Sequence, residues 1–384
     1  MTHPDPARRV LVVGGGYAGV LAANRLAHAL PADHALTLLT EGDALLDRVR
    51  LHECVARGRP PEVPYARSLH PRVRRLRERA TALRAGDRVV ETASAALPYD
   101  ALLLALGSRL SSPVPGVAEH ASALRDARSA RAAFETLRAL PEGAPVVVLG
   151  GSLTALEVAA EIAEAHPTLR VTLAARRFAP TLSPRGAALA RSALADLGVI
   201  VRDPTTCVAV EPDLVRFDDG ASLPAALAVW AGGFDPAGLS RDSELSTDRA
   251  GRVRVRDDLQ AVGVDGVFVA GDLAAPTASL PFLRMGCASA MPMGAAAADN
   301  LARWLRAEPT RAHRFAYWMQ CVSLGRRAAV IQSVTPDDRP TERVVTGRGA
   351  VMVKETVCRF VLGMLRAERA LGGAYRWPTR AARP

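Results

Sequence analysis

Three glycines near the start of the chain, at positions 14, 16 and 19, have a spacing suited to binding phosphate groups. An apolar, β-forming run at residues 10–13 precedes them, and a helix-forming run follows. Gly14 permits a tight turn, Gly16 lets the main chain approach a pyrophosphate, and Gly19 lets helix and strand pack closely. Amides at the start of such a helix bind phosphate oxygens. The pattern predicts a dinucleotide site rather than a purely structural turn.

A degraded copy of the same pattern occurs at residues 146–157, which read VVVLGGSLTALE. Here Gly150, Ser152 and Ala155 occupy the three glycine positions. A third marker, VFVAGD at 267–272, is a buried-type strand that ends in Asp272, whose carboxylate can accept hydrogen bonds from sugar hydroxyls. Two such turns suggest two nucleotide-binding domains, one for each of two dinucleotides.

The chain resembles the FAD-dependent pyridine nucleotide oxidoreductases, and within them the type II NADH dehydrogenase-like group, over roughly residues 8–378. The segments that carry the resemblance are VLVVGGGYAGVLAANRLA, DRVRLH, LALGS, VWAGGF, FVAGD, LRMGCASAMPMGAAAADNLA and CVSLGRRAAVIQ. The resemblance implies an α/β fold with two Rossmann-like domains, one for FAD and one for NAD(P)H. The second domain would be inserted in the first, and a smaller C-terminal α+β segment would follow.

The expected domains are an FAD-binding domain at 1–115 and 262–310, an NAD(P)H-binding domain at 116–261 and a C-terminal domain at 311–384. Within these, we expect a helix to begin near Met293. Strands are expected at 328–333 and 349–353, and a terminal helix at 354–371.

The resemblance places FAD on the first glycine turn and on the strand ends around it. Glu41 would bind the adenosine ribose, although it could also be an exposed turn residue. Arg48 would reach FAD or substrate, or lie on the surface. Asp272 would bind the ribityl chain, and Pro292-Met293-Gly294 would open a helix whose amides face the flavin. The complete FAD set is Gly14, Gly16, Tyr17, Ala18, Gly19, Glu41, Arg48, Ala105, Gly107, Gly271, Asp272, Met293 and Gly294.

The second turn would hold NADPH or NADH against the flavin. Strand 171–174 is followed by Arg176 and Arg177 with no carboxylate for a ribose 2′-hydroxyl, which favours NADPH slightly. Ser152 adds a Cβ beside the pyrophosphate, so a weakened or decayed nicotinamide site is the alternative. Glu157 is a candidate for positioning the nicotinamide. The complete set is Gly150, Gly151, Ser152, Thr154, Glu157, Arg176, Arg177 and Gly232.

The resemblance implies hydride transfer from nicotinamide to flavin and electron transfer to a quinone-like or other small organic acceptor. Residues 289–300 hold no glutamine, although glutamines are typical of the quinone site in respiratory members. Two alternatives stay open. One is a pathway-specific flavoenzyme acting on one small metabolite, and the other is a flavin-bound protein with a decayed nicotinamide site and a non-redox role.

Composition limits the partners. The net charge is +10, and Lys354 is the only lysine among many arginines. The excess of arginine has two interpretations: an arginine-rich coding bias, or a role in attracting the protein to anionic membranes or cofactors. Aromatic residues make up only 4%, which argues against nucleic-acid binding. We expect a cytoplasmic protein, because no apolar leader and no run of about 20 apolar residues is present.

Five scattered cysteines with no CxxC pair argue against a dithiol redox centre and a metal site. Cys54 is expected to be an inert thiol, with a redox role as the alternative. The segment 354–371 has apolar residues at helical spacing with arginines between them. Such a helix can lie on the inner face of a membrane, or pack on the core or on a second subunit of a homodimer.

Overall fold

The computed structural model describes residues 7–236, 239 and 243–377 as an α/β protein with two parallel sheets. The first part of the chain contributes strands to one large sheet and to small antiparallel pairs. Its strands are β1 (Arg9–Val13), β2 (Ala35–Thr40), β3 (Ala44–Leu46), β4 (Glu62–Pro64), β5 (Arg74–Arg77), β6 (Ala80–Arg84), β7 (Val89–Thr92), β8 (Ala96–Pro98), β9 (Ala101–Leu104) and β10 (Ser108–Leu110). Its helices are α1 (Tyr17–Ala29), α2 (Leu51–Arg57) and α3 (Tyr65–Ser68).

The middle part of the chain repeats this plan of strands followed by helices. Its strands are β11 (Ala121–Ala123), β12 (Pro145–Leu149), β13 (Arg170–Ala174), β14 (Ile200–Arg202), β15 (Cys207–Val210), β16 (Leu214–Phe217), β17 (Ser222–Pro224), β18 (Leu227–Trp230) and β19 (Phe234–Pro236). Its helices are α4 (Val117–His120), α5 (Ala127–Ala139), α6 (Leu153–Ala165) and α7 (Pro184–Asp196).

The last part begins with one strand and one long helix and ends in a small sheet with a long terminal helix. These elements are β20 (Val267–Val269), α8 (Cys287–Leu305), β21 (Met319–Leu324), β22 (Ala328–Val334), β23 (Pro340–Val345) and α9 (Gly347–Leu371).

The first sheet has the strand order β20-β9-β1-β2-β5, with every pair parallel. Its central strands are buried along their whole apolar runs, as parallel strands covered on both faces must be. Strand β20 follows the second unit in the chain and yet pairs with β9 of the first. The second Rossmann-like unit is therefore inserted in the first, which confirms the predicted fold class.

The second sheet has the order β11-β18-β12-β13-β14 and is also parallel. Strands β10 and β19 form an antiparallel pair where the chain leaves the first unit and returns to it. The exact domain boundaries stay a prediction.

Helices α1 and α8 pack closely, because α8 contacts α1 through Gly294, which has no side chain. A Cβ built on Gly294 would come within 2.5 Å of the carbonyl oxygen of Ala18. The expected start of this helix is wrong. Helix α8 begins at Cys287, so Pro292 lies inside it and does not open it. The resemblance placed Pro292-Met293-Gly294 at the start of the helix, one turn too late.

The C-terminal segment is an antiparallel sheet, β21-β22-β23, with α9 packed on it. The strand expected at 349–353 is wrong, because these residues form the beginning of α9. Strands β21 and β23 were not anticipated; β23 takes the edge position next to β22. The apolar run at 350–353 carries β-branched valines, which are typical of strands, but in α9 only Ala350 of this run is buried.

Candidate active site

The first glycine turn lies at the carboxyl ends of β1 and β9. A Cβ on Gly14 would come within 2.2 Å of the carbonyl oxygen of Ala105, and one on Gly19 within 1.8 Å of the carbonyl oxygen of Gly14. Gly14 also has φ +112°, which favours glycine. These two glycines are therefore required by the backbone packing itself.

Gly16 differs from its neighbours because a Cβ built on it would meet nothing within 4 Å. Gly16 caps the start of α1 without a capping side chain, and the first turn of α1 holds no acidic residue. Helix α1 thus presents amides to an open space, beside Tyr17 and Ala18. A dinucleotide pyrophosphate fits this cradle, because its oxygens would accept hydrogen bonds from these amides.

Two side chains that the sequence analysis did not identify, those of Tyr65 and Thr40, stabilise this turn. The hydroxyl of Tyr65 donates to the carbonyl of Gly15 at 2.9 Å and lies 3.3 Å from Thr40 Oγ1.

Glu41 follows β2 at the same sheet edge, where a ribose-binding acid is expected, and its side chain is 56% exposed. It forms ion pairs with Arg109 at 3.3 Å and Arg79 at 3.6 Å. Its role toward a ribose stays a prediction.

The DRVRLH segment is fixed to the start of α1 by a buried hydrogen bond. Tyr17 donates its hydroxyl proton to Asp47 at 2.5 Å and accepts a bond from the amide of Val49. Burial raises the pKa of Asp47 above its ordinary value, although the bond from Tyr17 opposes this shift. Arg48, the candidate of this segment, is exposed, whereas Arg50 is part of a buried ion-pair network.

Asp272 joins three elements at the open edge of the first sheet. Its carboxylate accepts a bond from Ser108 Oγ at 2.6 Å and one from the amide of Gly286 at 2.8 Å. Gly107, with φ +69° and free space around it, and Gly271 lie beside it at the ends of β9 and β20. The carboxylate thus lies next to the start of α8, where a sugar chain of a bound dinucleotide would pass.

Met293 and Gly294 lie in the second turn of α8 and are buried. The amides at the start of α8 therefore belong to Gly286, Cys287 and Ala288 rather than to the predicted pair. A Cβ on Gly286 would meet nothing within 4 Å, so the start of this helix is also open. Which amides of α8 contact a flavin stays a prediction.

The second glycine turn leads from β12 into α6. A Cβ on Gly151 would come within 1.9 Å of the carbonyl oxygen of Arg177, so the turn is held against the end of β13. Ser152 caps α6 without a capping bond and donates its hydroxyl to the carbonyl of Ala231 at 3.3 Å. Its side chain is thus turned toward the end of β18, where Gly232 follows. The third position, Ala155, is buried.

The remaining residues predicted for NAD(P)H surround this turn. Gly150 has φ +140°, and Thr154 is half-buried in the first turn of α6. Arg176 and Arg177 are exposed directly after β13, next to Gly151. Both arginines therefore follow β13 beside the second glycine turn.

Glu157 lies in the second turn of α6 and is buried against the C-terminal segment. Lys354 Nζ lies 2.7 Å from Glu157 Oε1, and the amide and hydroxyl of Ser323 donate to the same carboxylate. Burial alone would raise the pKa of Glu157, but the Lys354 charge and the hydrogen bonds from Lys354 and Ser323 together oppose it, and the pKa lies below its ordinary value. Glu157 is therefore a carboxylate.

The charge of Lys354 and the protonation of His52 follow from the same contacts. Burial opposes the charge of Lys354, but attraction to Glu157 raises its pKa above the ordinary value. His52 Nδ1 lies 3.9 Å from Glu157 Oε2, yet burial lowers the pKa of His52, so its imidazole is neutral at pH 7. Lys354 was considered in the sequence only as part of an amphipathic helix, and no local signal revealed this pairing.

A cavity of about 270 Å³ opens beside Lys354 between α2, the small C-terminal sheet and α9. Its walls are charged: Arg50, Glu53 and Arg326 form a network with short contacts of 2.5 and 3.1 Å to Glu53. Burial opposes ionisation of Glu53, but the hydrogen bond from Arg50 and the charges of Arg326 and Arg50 together outweigh it and lower its pKa to about 2. The cavity thus combines charged side chains with apolar surface from residues such as Ala329 and Val351.

The five cysteines are free thiols. Cys54 is fully buried, and burial raises its pKa, which fits an inert thiol better than a reactive one. Burial also raises the pKa of Cys287 to about 11 and of Cys358 to about 12. Within the described ranges no cluster of side chains suited to a metal ion occurs.

Comparisons with known proteins agree with this geometry. Residues 8–299 match the family model described as pyridine nucleotide-disulphide oxidoreductase. An NADH dehydrogenase-like protein of Mycobacterium tuberculosis is 32% identical over 349 residues, covering 84% of this chain and 87% of that protein. A type II NADH:quinone oxidoreductase of Staphylococcus aureus is 26% identical, and the match covers 91% of this chain and 94% of that protein. The structure of the sulfide:quinone oxidoreductase from Aquifex aeolicus superposes with a TM-score of 0.78 and 21% sequence identity, covering 94% of this chain and 92% of that one. At this identity the likeness shows the fold alone.

Proposed function

Because the chain belongs to the pyridine nucleotide-disulphide oxidoreductase family, we propose that it is an FAD-dependent NAD(P)H oxidoreductase that passes electrons to a small organic, quinone-like acceptor. The observation that carries this proposal is the pair of glycine turns, each leading from a parallel sheet into a helix without a capping side-chain bond. Each turn suits one dinucleotide. The residues between them provide the remaining chemistry.

The first turn fits FAD. Gly14, Gly16 and Gly19 would admit its pyrophosphate, and Asp272 would accept a hydrogen bond from its ribityl chain. The flavin would supply the hydride-accepting and electron-donating chemistry, so the protein needs no nucleophile of its own. Open amides at the start of α8 would favour negative charge nearby, because a helix N-terminus carries a partial positive charge.

The second turn suits NADPH slightly better than NADH. Two exposed arginines follow β13 at the position where a carboxylate would bind a ribose 2′-hydroxyl. Guanidinium groups pair with phosphates through two parallel hydrogen bonds. The hydroxyl of Ser152, bound to Ala231, leaves only the Cβ of Ser152 as an obstacle to the pyrophosphate.

Lys354 and Glu157 are suited to stabilise negative charge on the acceptor side. Lys354 is a charged ammonium group next to the 270 Å³ cavity, and Glu157 holds it in place and keeps it charged. A quinone or similar acceptor gains negative charge as it takes up electrons, and a fixed ammonium group stabilises that charge. The charged walls favour a small polar acceptor, so a pathway-specific flavoenzyme is the second candidate.

Helix α9 is our candidate for peripheral membrane contact or for a homodimer interface. Val361 and Leu365 are buried against the protein, whereas Phe360 is 46% exposed and Met352 is 71% exposed. Arg359 and Arg366 are exposed on the same helix. No helix among the residues that the structure describes is long and apolar enough to cross a membrane.

Anaerobic mixing of the FAD-loaded protein with NADPH and then with NADH tests the proposal. Loss of the visible flavin absorbance at about 10 per second, a typical enzymatic rate, supports it. Reduction by NADPH but not NADH supports the role of the two arginines. A flavin that neither nucleotide reduces would instead favour a flavin-bound protein with a decayed nicotinamide site.

A further inference from the structure

A second cavity, of about 480 Å³, lies away from the candidate active site. Helices α1 and α8 form one wall, and residues 311–314 and 375–377 form the other. Arg25 and Ala29 line it from the last part of α1, whereas the open amides of α1 are at its first residues. Its volume lies within the range of about 300–1,000 Å³ that is usual for ligand sites.

Positive charge dominates the walls of this basic cavity. Six arginines line it, and Asp299 is the one carboxylate among the described residues that do so. Arg25 binds both oxygens of Asp299, at 2.6 and 2.9 Å, and also pairs with Glu368 at 3.2 Å, so its charge is fully compensated. The other arginines are Arg303, Arg306, Arg311, Arg314 and Arg376.

These five arginines have too few acidic partners. Arg303 and Arg306 share the single carboxylate of Glu308, at 3.4 and 2.7 Å. Arg311, Arg314 and Arg376 are exposed and make no ion pair with any residue that the structure describes. The cavity therefore carries surplus positive charge in a concave space, which attracts anions.

One wall of this cavity holds a buried histidine. His313 lines the cavity and is 6% exposed, and its Nε2 has no hydrogen-bond partner in the described part of the chain. Burial lowers its pKa to about 4, so the imidazole is neutral at pH 7. A buried polar atom without a partner is costly unless something else satisfies it.

The backbone that carries these side chains is held firmly. The amide of Arg311 donates to Asn300 Oδ1 at 2.8 Å, and the carbonyl of Arg311 accepts from Asn300 Nδ2 at 2.7 Å. The amide of His313 donates to the carbonyl of Asp257 at 2.6 Å. A fixed backbone lowers the entropic cost of ordering side chains around a ligand.

We propose that this basic cavity binds a small anion that carries more than one phosphate charge. Several guanidinium groups facing one space suit phosphate oxygens, which accept paired hydrogen bonds from each of them. A singly charged carboxylate would leave most of the surplus charge unbalanced. A free pyrophosphate-type anion and a phospholipid headgroup share this chemistry.

Calorimetry with inorganic pyrophosphate on the full-length, FAD-loaded protein tests the proposal. The triple variant Arg311→Ala, Arg314→Ala, Arg376→Ala should bind pyrophosphate at least about tenfold more weakly than the parent protein. A control triple variant, Arg125→Ala, Arg128→Ala, Arg185→Ala, removes the same charge from exposed positions elsewhere and should stay within about twofold. Pyrophosphate that binds at the two glycine turns should bind equally to both variants, because neither variant changes those turns.

Sedimentation with vesicles of cardiolipin, whose headgroup carries two phosphates, or of phosphatidylcholine forms the second arm. Weaker pyrophosphate binding by the cavity variant, with cardiolipin binding unchanged, identifies a free phosphorylated anion as the ligand class. Loss of cardiolipin binding by the cavity variant but not by the control variant identifies a lipid headgroup. If the two triple variants behave alike in both arms, the arginines act only through net charge and the proposal is overturned.

Discussion

The ammonium group of Lys354 lies 2.7 Å from Oε1 of Glu157, and both side chains are largely buried. The two residues come from different segments, Glu157 from α6 of the second Rossmann-like unit and Lys354 from the terminal helix α9. Each keeps the other charged, because burial alone would favour the neutral forms. Loss of either partner therefore leaves an uncompensated charge beside the cavity.

Replacing Lys354 with Met should slow acceptor reduction by about 10²-fold or more, since it removes a fixed positive charge beside the acceptor. Flavin reduction by NADPH should change by no more than about twofold, and this difference between half-reactions separates an electrostatic role toward the acceptor from general damage. Stopped-flow measurement of each half-reaction checks this. The control is Arg366→Met, at an exposed position on the same helix. Equal slowing of both half-reactions in the Lys354 variant would contradict the assignment.

Ser152→Gly should tighten NADPH binding, because it removes the Cβ at the close-approach position of the second turn. We expect a gain of about threefold to tenfold, since Ser152 makes no capping bond that the change would remove and Gly is tolerated at the N-cap. Fluorescence titration of the FAD-loaded protein measures this. Unchanged or weaker NADPH binding, at unchanged FAD content, would show that Ser152 does not hinder the nucleotide.

Arg176→Ala, Arg177→Ala should weaken NADPH binding by about tenfold or more, because hydrogen bonds to a charged group are worth about 1.5–3 kcal/mol. NADH binding should change by no more than about twofold, since NADH lacks the 2′-phosphate. Arg185→Ala, an exposed position in the same unit, is the control. Parallel losses for both nucleotides would show that the arginines act only through general charge.

Glu53 makes folding stability depend on pH in a defined window. Its pKa in the folded protein is about 2, against an ordinary value of 4.5. A lowered pKa contributes stability above pH 4.5, and this contribution is lost as the pH falls toward 2. It amounts to about 3 kcal/mol. In urea unfolding at a series of pH values, Glu53→Gln should flatten this acid limb, whereas the exposed control Glu142→Gln should retain it.

The features of the fold that could be predicted from the sequence are those encoded within short segments of the chain. The turns at Gly14 and Gly150 each combine a buried strand, a glycine pattern and a helix within a few residues, and both occur as expected. The start of α8 was misplaced because the resemblance put it at Pro292-Met293-Gly294, whereas the helix begins at Cys287 and Gly294 packs on Ala18 from its second turn. The Lys354–Glu157 pair depends on contact between distant segments, which no local pattern encodes.

Gly14, Gly16 and Gly19 should respond differently to substitution, although they belong to one motif. A Cβ at Gly19 would lie 1.8 Å from a carbonyl oxygen, so Gly19→Val should prevent correct folding. Gly16 has φ −82° and open space in front of it, so Gly16→Val should fold normally. Its side chain would then occupy the cradle at the start of α1. Circular dichroism checks the fold, and the flavin content checks the site.

The flavin content of the purified or reconstituted protein tests the central claim most directly. After incubation with FAD and removal of free cofactor, the parent protein should show a flavin spectrum with one FAD per chain. The folded Gly16→Val variant should show none. A colourless parent protein, or a Gly16→Val variant that retains the full flavin content, would contradict the assignment of the first glycine turn as the FAD site.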